Sequence, residues 1–238
     1  MSGADSVAEG LMPIWLATLA SGEVLPSEEA LAKALGASRP AIREALIRME
    51  ANGLIRRHHG AGTFANPAAL DAEVRLDNGP DFADSLRAVG FDVVVELLDA
   101  SIVGLDEPTA TSLKCDTGVR ALRTSKRWRA DGVVVVAAVD HVPLSHRADD
   151  TTALDLAMQP VREVAHLVGL GKVDWLCTWP SAAELDAAIA PTLEFDAGRA
   201  VLQMEQVGIE RHGRRVFHAL EHHRPGLVQY GLVRTVSD

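Results

Sequence analysis

The segment Leu35-Gly-Ala-Ser-Arg-Pro-Ala-Ile-Arg-Glu-Ala-Leu46 contains the end of one helix and the start of the next. Glycine is common where a helix ends, which assigns Gly36 to such a stop. Ser38 can accept a hydrogen bond from a first-turn amide, and proline is tolerated directly behind such a cap. The pattern therefore predicts a helix over residues 39–52, with Gly53 as its stop.

This predicted helix has two chemically different sides. Its apolar stripe consists of Ile42, Ala45, Leu46 and Met49. Arg39 and Arg43 are four residues apart, so they project from one side of the helix, about a quarter turn from the stripe. We therefore expect the stripe to be buried and both arginines to face solvent.

The elements around this helix complete a small domain. Ser27 predicts a capped helix over residues 28–35, and Pro13 can begin an earlier helix that stops at Gly22. Two short strands near residues 54–55 and 63–64 are joined by a turn at Gly60 and Gly62. Residues 37–64 contain five arginines and two glutamates. From charge alone this is either a solvated basic face or a helix and wing suited to a DNA groove.

Composition restricts the class of protein. The 238 residues include 23 Lys and Arg against 33 Asp and Glu, a net charge of −10, which excludes a chain-wide basic coat for nucleic acid. The two cysteines, Cys115 and Cys177, form neither a disulfide framework nor a zinc motif. No apolar stretch reaches membrane-spanning length, and the acidic start is unlike a signal peptide. These features predict a cytoplasmic protein without a metal or cofactor.

The second half of the chain alternates helical and strand patterns after a linker at residues 67–81, and it repeats itself. At an offset of 80, Leu105, Asp106, Leu113, Asp116, Gly118 and Leu122 match Leu185, Asp186, Leu193, Asp196, Gly198 and Leu202. At an offset of 81, Gly132, Val135, Ala138, Asp140 and His141 match Gly213, Val216, Ala219, Glu221 and His222. The repeat predicts two α+β units whose hairpins build one antiparallel sheet; chance similarity of two strand pairs is the alternative.

The N-terminal motifs resemble those of a known family. Residues 22–32, 35–46, 52–55 and 60–64 are similar to the winged helix-turn-helix of the GntR family of bacterial transcription regulators. The resemblance implies that Ser38, Arg39 and Arg43 contact DNA. It also implies that Gly60 and Gly62 shape the wing beside His59. The family usually has a basic, phosphate-contacting residue where this chain has Glu29.

Residues 82–238 more loosely resemble the effector domain of the HutC-type subfamily. This UTRA domain is an antiparallel-sheet α+β fold similar to chorismate lyase. The resemblance rests on the helix ending at Gly90, both Leu-x-x-Asp-x-Gly units and the run from Arg127 to Gly132. It implies a small acidic or sugar-like effector and a homodimer on a palindromic operator. The predicted organisation is residues 1–66 for DNA binding, 67–81 as linker, and 82–238 for the effector and dimerisation.

Candidate effector residues follow from the same resemblance. Arg127 and Arg129 would grip an anionic group of the ligand, although a one-residue shift in register would put Lys126 there instead. Asp81, Phe82 and Ala83 stand where phosphosugar binders tend to carry a Ser-Phe-Thr-like element. The phosphate-binding hydroxyls are therefore replaced, with a carboxylate at Asp81, which favours an amine- or hydroxyl-bearing acid near Asp81 and Arg127. The remaining candidates are His141, Glu221 and Tyr230. We interpret His222 and His223 as a surface pair, and Trp175 and Trp179 as core residues with ligand stacking as the alternative.

The combined pattern predicts a ligand-responsive, sequence-specific transcriptional repressor. One alternative is a constitutive DNA-binding protein whose C-terminal half only dimerises. The other is an enzyme on a chorismate-lyase-like fold, which the absence of hydrolase and phosphate-loop motifs disfavours. The sequence leaves the effector and the operator open.

Overall fold

The computed structural model describes residues 3–58, 60–70, 74–75, 81–146 and 148–233. The chain forms two compact units. The first consists of Met1–Gly79 together with Gln229–Asp238, and the second of Pro80–Val228. Within the described residues, no helix is long and apolar enough to cross a membrane.

The N-terminal unit begins with three helices and a hairpin. They are α1 (Gly3–Ser21), α2 (Glu28–Leu35), α3 (Arg39–Ala51), β1 (Ile55–His58) and β2 (Gly62–Ala65). Ser27 and Ser38 cap α2 and α3, and Gly36 ends α2 with a φ of 61°. The predicted caps, stop and hairpin are therefore confirmed, because each is set by a local hydrogen bond or backbone preference.

The first helix differs from the prediction. It begins at Gly3 rather than near Pro13, which lies inside α1. Proline removes one helical hydrogen bond, but Leu11 and Trp15 on either side of it are almost fully buried. The Trp15 indole also donates to the carbonyl of Leu54 at 2.7 Å. Core packing across the proline thus outweighs the local preference for a break.

The last described residues of the chain return to the N-terminal unit. A short 3-10 helix, η1 (Pro67–Leu70), precedes strand β3 (Val74–Arg75), which pairs in parallel with β10 (Tyr230–Gly231). The amide of Val74 donates to the carbonyl of Gln229 at 3.1 Å. The prediction assigned Tyr230 to the C-terminal domain, and the structure instead groups it with the N-terminal unit. A parallel pair between distant segments leaves no local sequence signal.

The second unit is one six-stranded sheet with flanking helices. Its helices are α4 (Phe82–Ala88), α5 (Glu107–Leu113), α6 (Asp150–Asp155), α7 (Val161–Leu167) and α8 (Ala190–Leu193). Its strands are β4 (Val93–Gly104), β5 (Arg120–Ala130), β6 (Val133–Pro143), β7 (Val173–Glu184), β8 (Ala200–Glu210) and β9 (Arg215–His223). The strand order is β4-β5-β6-β9-β8-β7, with antiparallel neighbours throughout. This is the predicted α+β antiparallel sheet.

The predicted repeat is present in the fold. Lys114 and Glu194, 80 residues apart, both end their helices in the left-handed region, with φ of 54° and 49°. Val139 and Leu220, 81 residues apart, lie directly opposite each other on the central strands β6 and β9. The two strand triplets are therefore related by a pseudo-twofold axis between these strands, a relation that chance similarity would not produce.

Strand alternation gives the sheet two covered faces. On β5, Thr124, Lys126 and Trp128 point to one face, which we call the α4 face because α4 packs there through Phe82. Arg127 points to the opposite α5 face, where Ser112 of α5 hydrogen-bonds to the sheet. Candidate effector residues on opposite faces of the sheet therefore cannot line the same site.

Candidate DNA-binding surface and effector site

The N-terminal end of α3 presents two arginines to solvent. Ile42 and Met49 of the apolar stripe are buried against α1 and the hairpin, while Arg39 and Arg43 are exposed. Ser38 accepts a hydrogen bond from the amide of Ala41 at 3.3 Å. The helix therefore begins beside a cationic surface, which is an arrangement suited to phosphates and base edges.

Arg43 is held by a residue of α2. Its Nε lies 3.2 Å from both carboxylate oxygens of Glu28, and its Nη2 lies 2.8 Å from Oε2. The Arg43 hydrogen bond is the main reason that the pKa of Glu28 lies below its usual value, and the charges of Arg57 and Arg39 act in the same direction. Sequence reasoning missed Glu28, whose position in the Leu25-Pro-Ser-Glu28 run was the available signal.

The hairpin turn contains two glycines with positive φ, a backbone conformation that glycine adopts readily. Gly60 and Gly62 have φ of 78° and 119°. The amide of Leu25 donates to the carbonyl of Thr63 at 2.8 Å, which attaches the hairpin to the segment before α2. His59, assigned to the wing by resemblance, lies outside the described residues. Glu29, for which the resemblance implies a basic residue in other members, is exposed in the first turn of α2.

On the α4 face, the sheet buries an ion pair. Lys126 Nζ donates to the carbonyl of Gln159 at 2.7 Å and lies 3.7 Å from Oδ2 of Asp140. The Thr124 hydroxyl donates to the same carboxylate oxygen at 3.1 Å. Burial raises the pKa of Asp140 to about 6 against the opposing charge of Lys126, and burial also lowers the pKa of Lys126.

A second polar group adjoins this pair on the α4 face. Glu221 accepts from Nε2 of Gln206 at 2.9 Å and lies 2.9 Å from Nε2 of His223. Phe82 packs edge-on against Trp128 and His223, with ring centroids 6.3 and 5.5 Å away. Within the described part of the chain, the buried indole Nε1 of Trp128 has no hydrogen-bond partner. This donor could serve a ligand.

Asp81 and Arg127 do not meet. The Asp81 carboxylate caps α4 by accepting from the amide of Ala83 at 3.0 Å, and its charge acts on Lys126. Arg127 and Arg129 point to the α5 face. On the α4 face, the residue that the alternative register predicted, Lys126, takes their place. The expectation that Asp81 and Arg127 lie close together was therefore wrong, because the side chains of Arg127 and Lys126 point to opposite faces of β5.

On the α5 face the two arginines are already paired with carboxylates. Arg127 contacts Glu96 and lies 3.0 Å from Oε1 of Glu194. Arg129 lies 3.3 Å from Glu96 and also contacts Glu194. These hydrogen bonds lower the pKa of Glu96, mainly through Arg127, and that of Glu194, mainly through Arg129. An anionic ligand would have to displace these carboxylates.

The remaining candidates are dispersed. His141 lies on the α5 face opposite His218, Glu221 on the α4 face, and Tyr230 in the other unit. No cluster of three or more metal-ligating side chains occurs among the residues that the structure describes.

Two interpretations of flanking residues are corrected. His222 and His223 are buried rather than a surface pair, because β9 is a central strand with both faces covered. Trp175 and Trp179 are 55% and 47% exposed rather than in the core, because β7 is an edge strand.

Comparison with known proteins agrees with this architecture. Residues 7–65 match the family described as bacterial regulatory proteins, gntR family. An uncharacterised HTH-type transcriptional regulator of Mycobacterium tuberculosis is 36% identical over 36% of this chain. The regulator Mce2R of the same species is 35% identical over 43% of the chain. The matches span 35% and 50% of these relatives' own length. The HTH-type transcriptional regulator GgaR of Escherichia coli is 23% identical over 88% of this chain and 81% of its own.

Solved structures share the fold of both units. YydK from Bacillus subtilis, a possible transcriptional regulator, covers 99% of this chain and 100% of its own with a TM-score of 0.77 at 14% identity. PhnF from Mycobacterium smegmatis covers 89% and 92% with a TM-score of 0.60 at 20% identity. The isolated effector domain of PhnF covers 68% of this chain and 100% of its own with a TM-score of 0.56 at 18% identity. At these identities the likeness establishes the fold alone.

The fold and the exposed arginine surface define a DNA-binding protein of the winged helix-turn-helix class, joined to an α+β sheet domain. The N-terminal domain belongs to the GntR family of bacterial regulatory proteins. The relatives found are named as transcriptional regulators rather than enzymes, which agrees with the predicted non-enzymatic class.

Proposed function

We propose that the chain is a ligand-responsive, sequence-specific transcriptional repressor that binds its operator as a homodimer. The observation that carries this proposal is the exposure of Arg39 and Arg43 at the N-terminal end of a helix whose apolar stripe is fully buried. Such a helix can enter the major groove, where an arginine distinguishes guanine by its O6 and N7 acceptors.

The other contacts follow from the same docking. In this proposal Ser38 and the first-turn amides of α3 receive a phosphate, and Gly60 and Gly62 shape a wing that follows the DNA backbone. His59 is assigned to the same wing by the family resemblance. A homodimer would place two such helices about one helical turn apart on a palindromic site. Glu29 removes one cationic phosphate contact, so we expect a smaller salt dependence than a basic residue there would give.

For the effector, we propose the α4 face rather than the α5 face. Lys126, the indole N–H of Trp128 and the Glu221 carboxylate together offer a cation, a neutral donor and an acceptor beside Phe82. This set suits a small acid that also carries an amine or hydroxyl group. Arg127 and Arg129 each contact two carboxylates, Glu96 and Glu194, whereas Lys126 has the single carboxylate of Asp140 as its charged partner. A ligand can release DNA only if it binds the DNA-free arrangement more tightly.

DNA binding is tested by a gel shift with the DNA upstream of the protein's own gene. Replacing Arg39 and Arg43 together by alanine should remove specific binding and reduce the slope of affinity against salt by about two phosphate contacts at most. Unchanged specificity and slope would show that α3 is not the reading helix.

Ligand response is tested by a thermal-shift screen with small hydroxy and amino acids. A ligand of the native state must raise the melting temperature, and the same compound should then weaken the gel shift. The alternative is a constitutive DNA-binding protein. The occupied arginines of the α5 face favour this alternative, and the absence of any stabilising compound would support it.

A further inference from the structure

Among the described residues, Arg43 of α3 has a carboxylate partner on a neighbouring helix. The guanidinium of Arg43 is bound side-on by Glu28, through Nε and Nη2. Glu28 is the first residue of α2, and its side chain is 24% exposed against 60% for Arg43. The carboxylate therefore lies on the protein side of the contact, and the arginine on the solvent side.

This geometry leaves one edge of the guanidinium available. A guanidinium presents five N–H donors in a planar fork, and a carboxylate on the Nε–Nη2 edge uses two of them. The end-on edge, formed by Nη1 and the second hydrogen of Nη2, has the spacing that a bidentate contact to guanine O6 and N7 requires. Glu28 and a guanine can thus occupy Arg43 at the same time.

Glu28 also reduces the conformational entropy that Arg43 loses when it binds a base. A free arginine has many rotamers and loses about 2 kcal/mol of conformational freedom when it is immobilised. Arg43 is already held in one orientation by the two-point contact with Glu28. Arg43, and more weakly Arg57 and Arg39, hold the pKa of the Glu28 carboxyl below its usual value, so the pair is stabilised in its charged form.

We propose that Glu28 is a positioning residue that fixes the guanidinium of Arg43 for end-on recognition of one guanine in each operator half-site. The inference rests on the proposed DNA-binding function and adds a determinant of specificity outside the recognition helix. The Glu28 carboxylate is itself repelled by DNA, so it does not add to overall affinity. Its expected effect is on which base Arg43 prefers. A purely structural role in starting α2 would instead change stability and leave base preference intact.

The chain contains a matched control in the neighbouring residue. Glu29 is also an acidic residue in the first turn of α2 and is exposed, and in the described part of the chain the carboxylate bound to Arg43 is that of Glu28 rather than Glu29. Glu28→Gln and Glu29→Gln therefore remove the same charge at adjacent positions of the same helix. Only the first change removes the carboxylate that orients Arg43.

The experiment selects duplexes from a random DNA library with the full chain in three forms: wild type, Glu28→Gln and Glu29→Gln. We expect wild type and Glu29→Gln to prefer guanine at the same position. In Glu28→Gln, this preference for guanine over other bases should fall at least about fivefold, which is the smallest discrimination typical of a bidentate arginine–guanine pair. Arg43→Ala should lose the preference at the same position. Thermal unfolding of each variant shows whether it is folded.

The outcomes separate this inference from the proposed function. If wild type selects no sequence, the DNA-binding proposal fails. If wild type selects a sequence and Glu28→Gln keeps the same preferences as Glu29→Gln, DNA binding stands and the positioning role is wrong. Tighter binding by Glu28→Gln with unchanged preference would also overturn it, because Glu28 would then only compete with DNA for Arg43.

Discussion

His141 and His218 lie directly opposite each other on the two central strands of the sheet, with ring centroids 6.2 Å apart. Nδ1 of each ring is buried without a hydrogen-bond partner among the described residues. Nε2 of His218 lies 3.2 Å from Glu205, which also accepts from Ser112 at 2.6 Å. The His218 ring therefore lies close enough to act on the protonation of His141.

The first prediction concerns pH. Burial, together with the charge of His218, lowers the pKa of His141 to about 4. The unfolded chain binds this proton more readily than the native one, so the stabilisation is fully present above about pH 6.5 and is lost as the pH falls toward 4. Because the ring is partly exposed and screened by solvent, we expect protonation of His141 to lower the unfolding free energy by about 1 kcal/mol between pH 7 and pH 5.

Urea unfolding at both pH values checks this in wild type and His141→Gln. Other groups titrate in the same range, and comparison with the variant isolates His141. The variant should lose less stability on acidification than wild type. The exposed His146, replaced in the same way, serves as control. Equal pH dependence in wild type and His141→Gln would contradict the prediction.

The second prediction concerns the close contact between Gly208 and Phe217. A Cβ at Gly208 would lie 2.2 Å from Cε1 of Phe217, whose ring is buried. Gly208→Ala should therefore destabilise the protein by about 1–3 kcal/mol, and less than that in a Phe217→Leu background. Gly104→Ala, whose nearest neighbour would be at 3.4 Å, is the tolerated control. Additive effects of the two changes in denaturant unfolding would show that the contact is not responsible.

The third prediction concerns the two glycines of the wing. Gly62 has a φ of 119°, and a Cβ there would lie 2.5 Å from Cγ1 of Val24. Gly60 has a φ of 78° with open space around it. Gly60→Ala should cost about 1 kcal/mol from backbone strain alone, and Gly62→Ala about 2–3 kcal/mol. Thermal unfolding that ranks the two variants in the reverse order would be inconsistent with this hairpin.

The fourth prediction separates the two faces of the sheet. In an Asp140→Asn background, which avoids an unpaired buried carboxylate, Lys126→Gln should weaken binding of any metabolite found by thermal shift about tenfold or more. Arg127→Gln should lower stability and leave the metabolite's Kd within about twofold, because Arg127 serves Glu96 and Glu194. Calorimetric titration measures both. A loss of affinity confined to Arg127→Gln would move the effector site to the α5 face.

The N-terminal domain was largely predictable because its signals are local. The caps at Ser27 and Ser38 and the stop at Gly36 are each set within one turn of helix, and the structure places them as expected. The exception is Pro13, where contacts of Leu11 and Trp15 with distant residues decide the outcome. The partner of Arg43 was also missed, since Glu28 lies 15 residues away on another helix.

The effector candidates were less predictable because strand faces depend on register. The prediction selected Arg127 and Arg129, whereas α4 covers the side of β5 that carries Lys126 and Trp128. A shift of one residue moves every side chain to the other face, and the irregularities near Leu97 and Trp128 are set by pairing with neighbouring strands.

The sequence by itself determined the capped helices, the hairpin with its glycine turn and the twofold repeat of the sheet. The helices and the hairpin depend on residues close together in the chain, and the repeat is visible as matching residues at a constant offset. Only the tertiary structure decided which side chains share a face, that Glu28 holds Arg43, and that Tyr230 pairs with Val74. These relations join segments far apart in the chain, and packing of the whole unit, rather than any local preference, selects them.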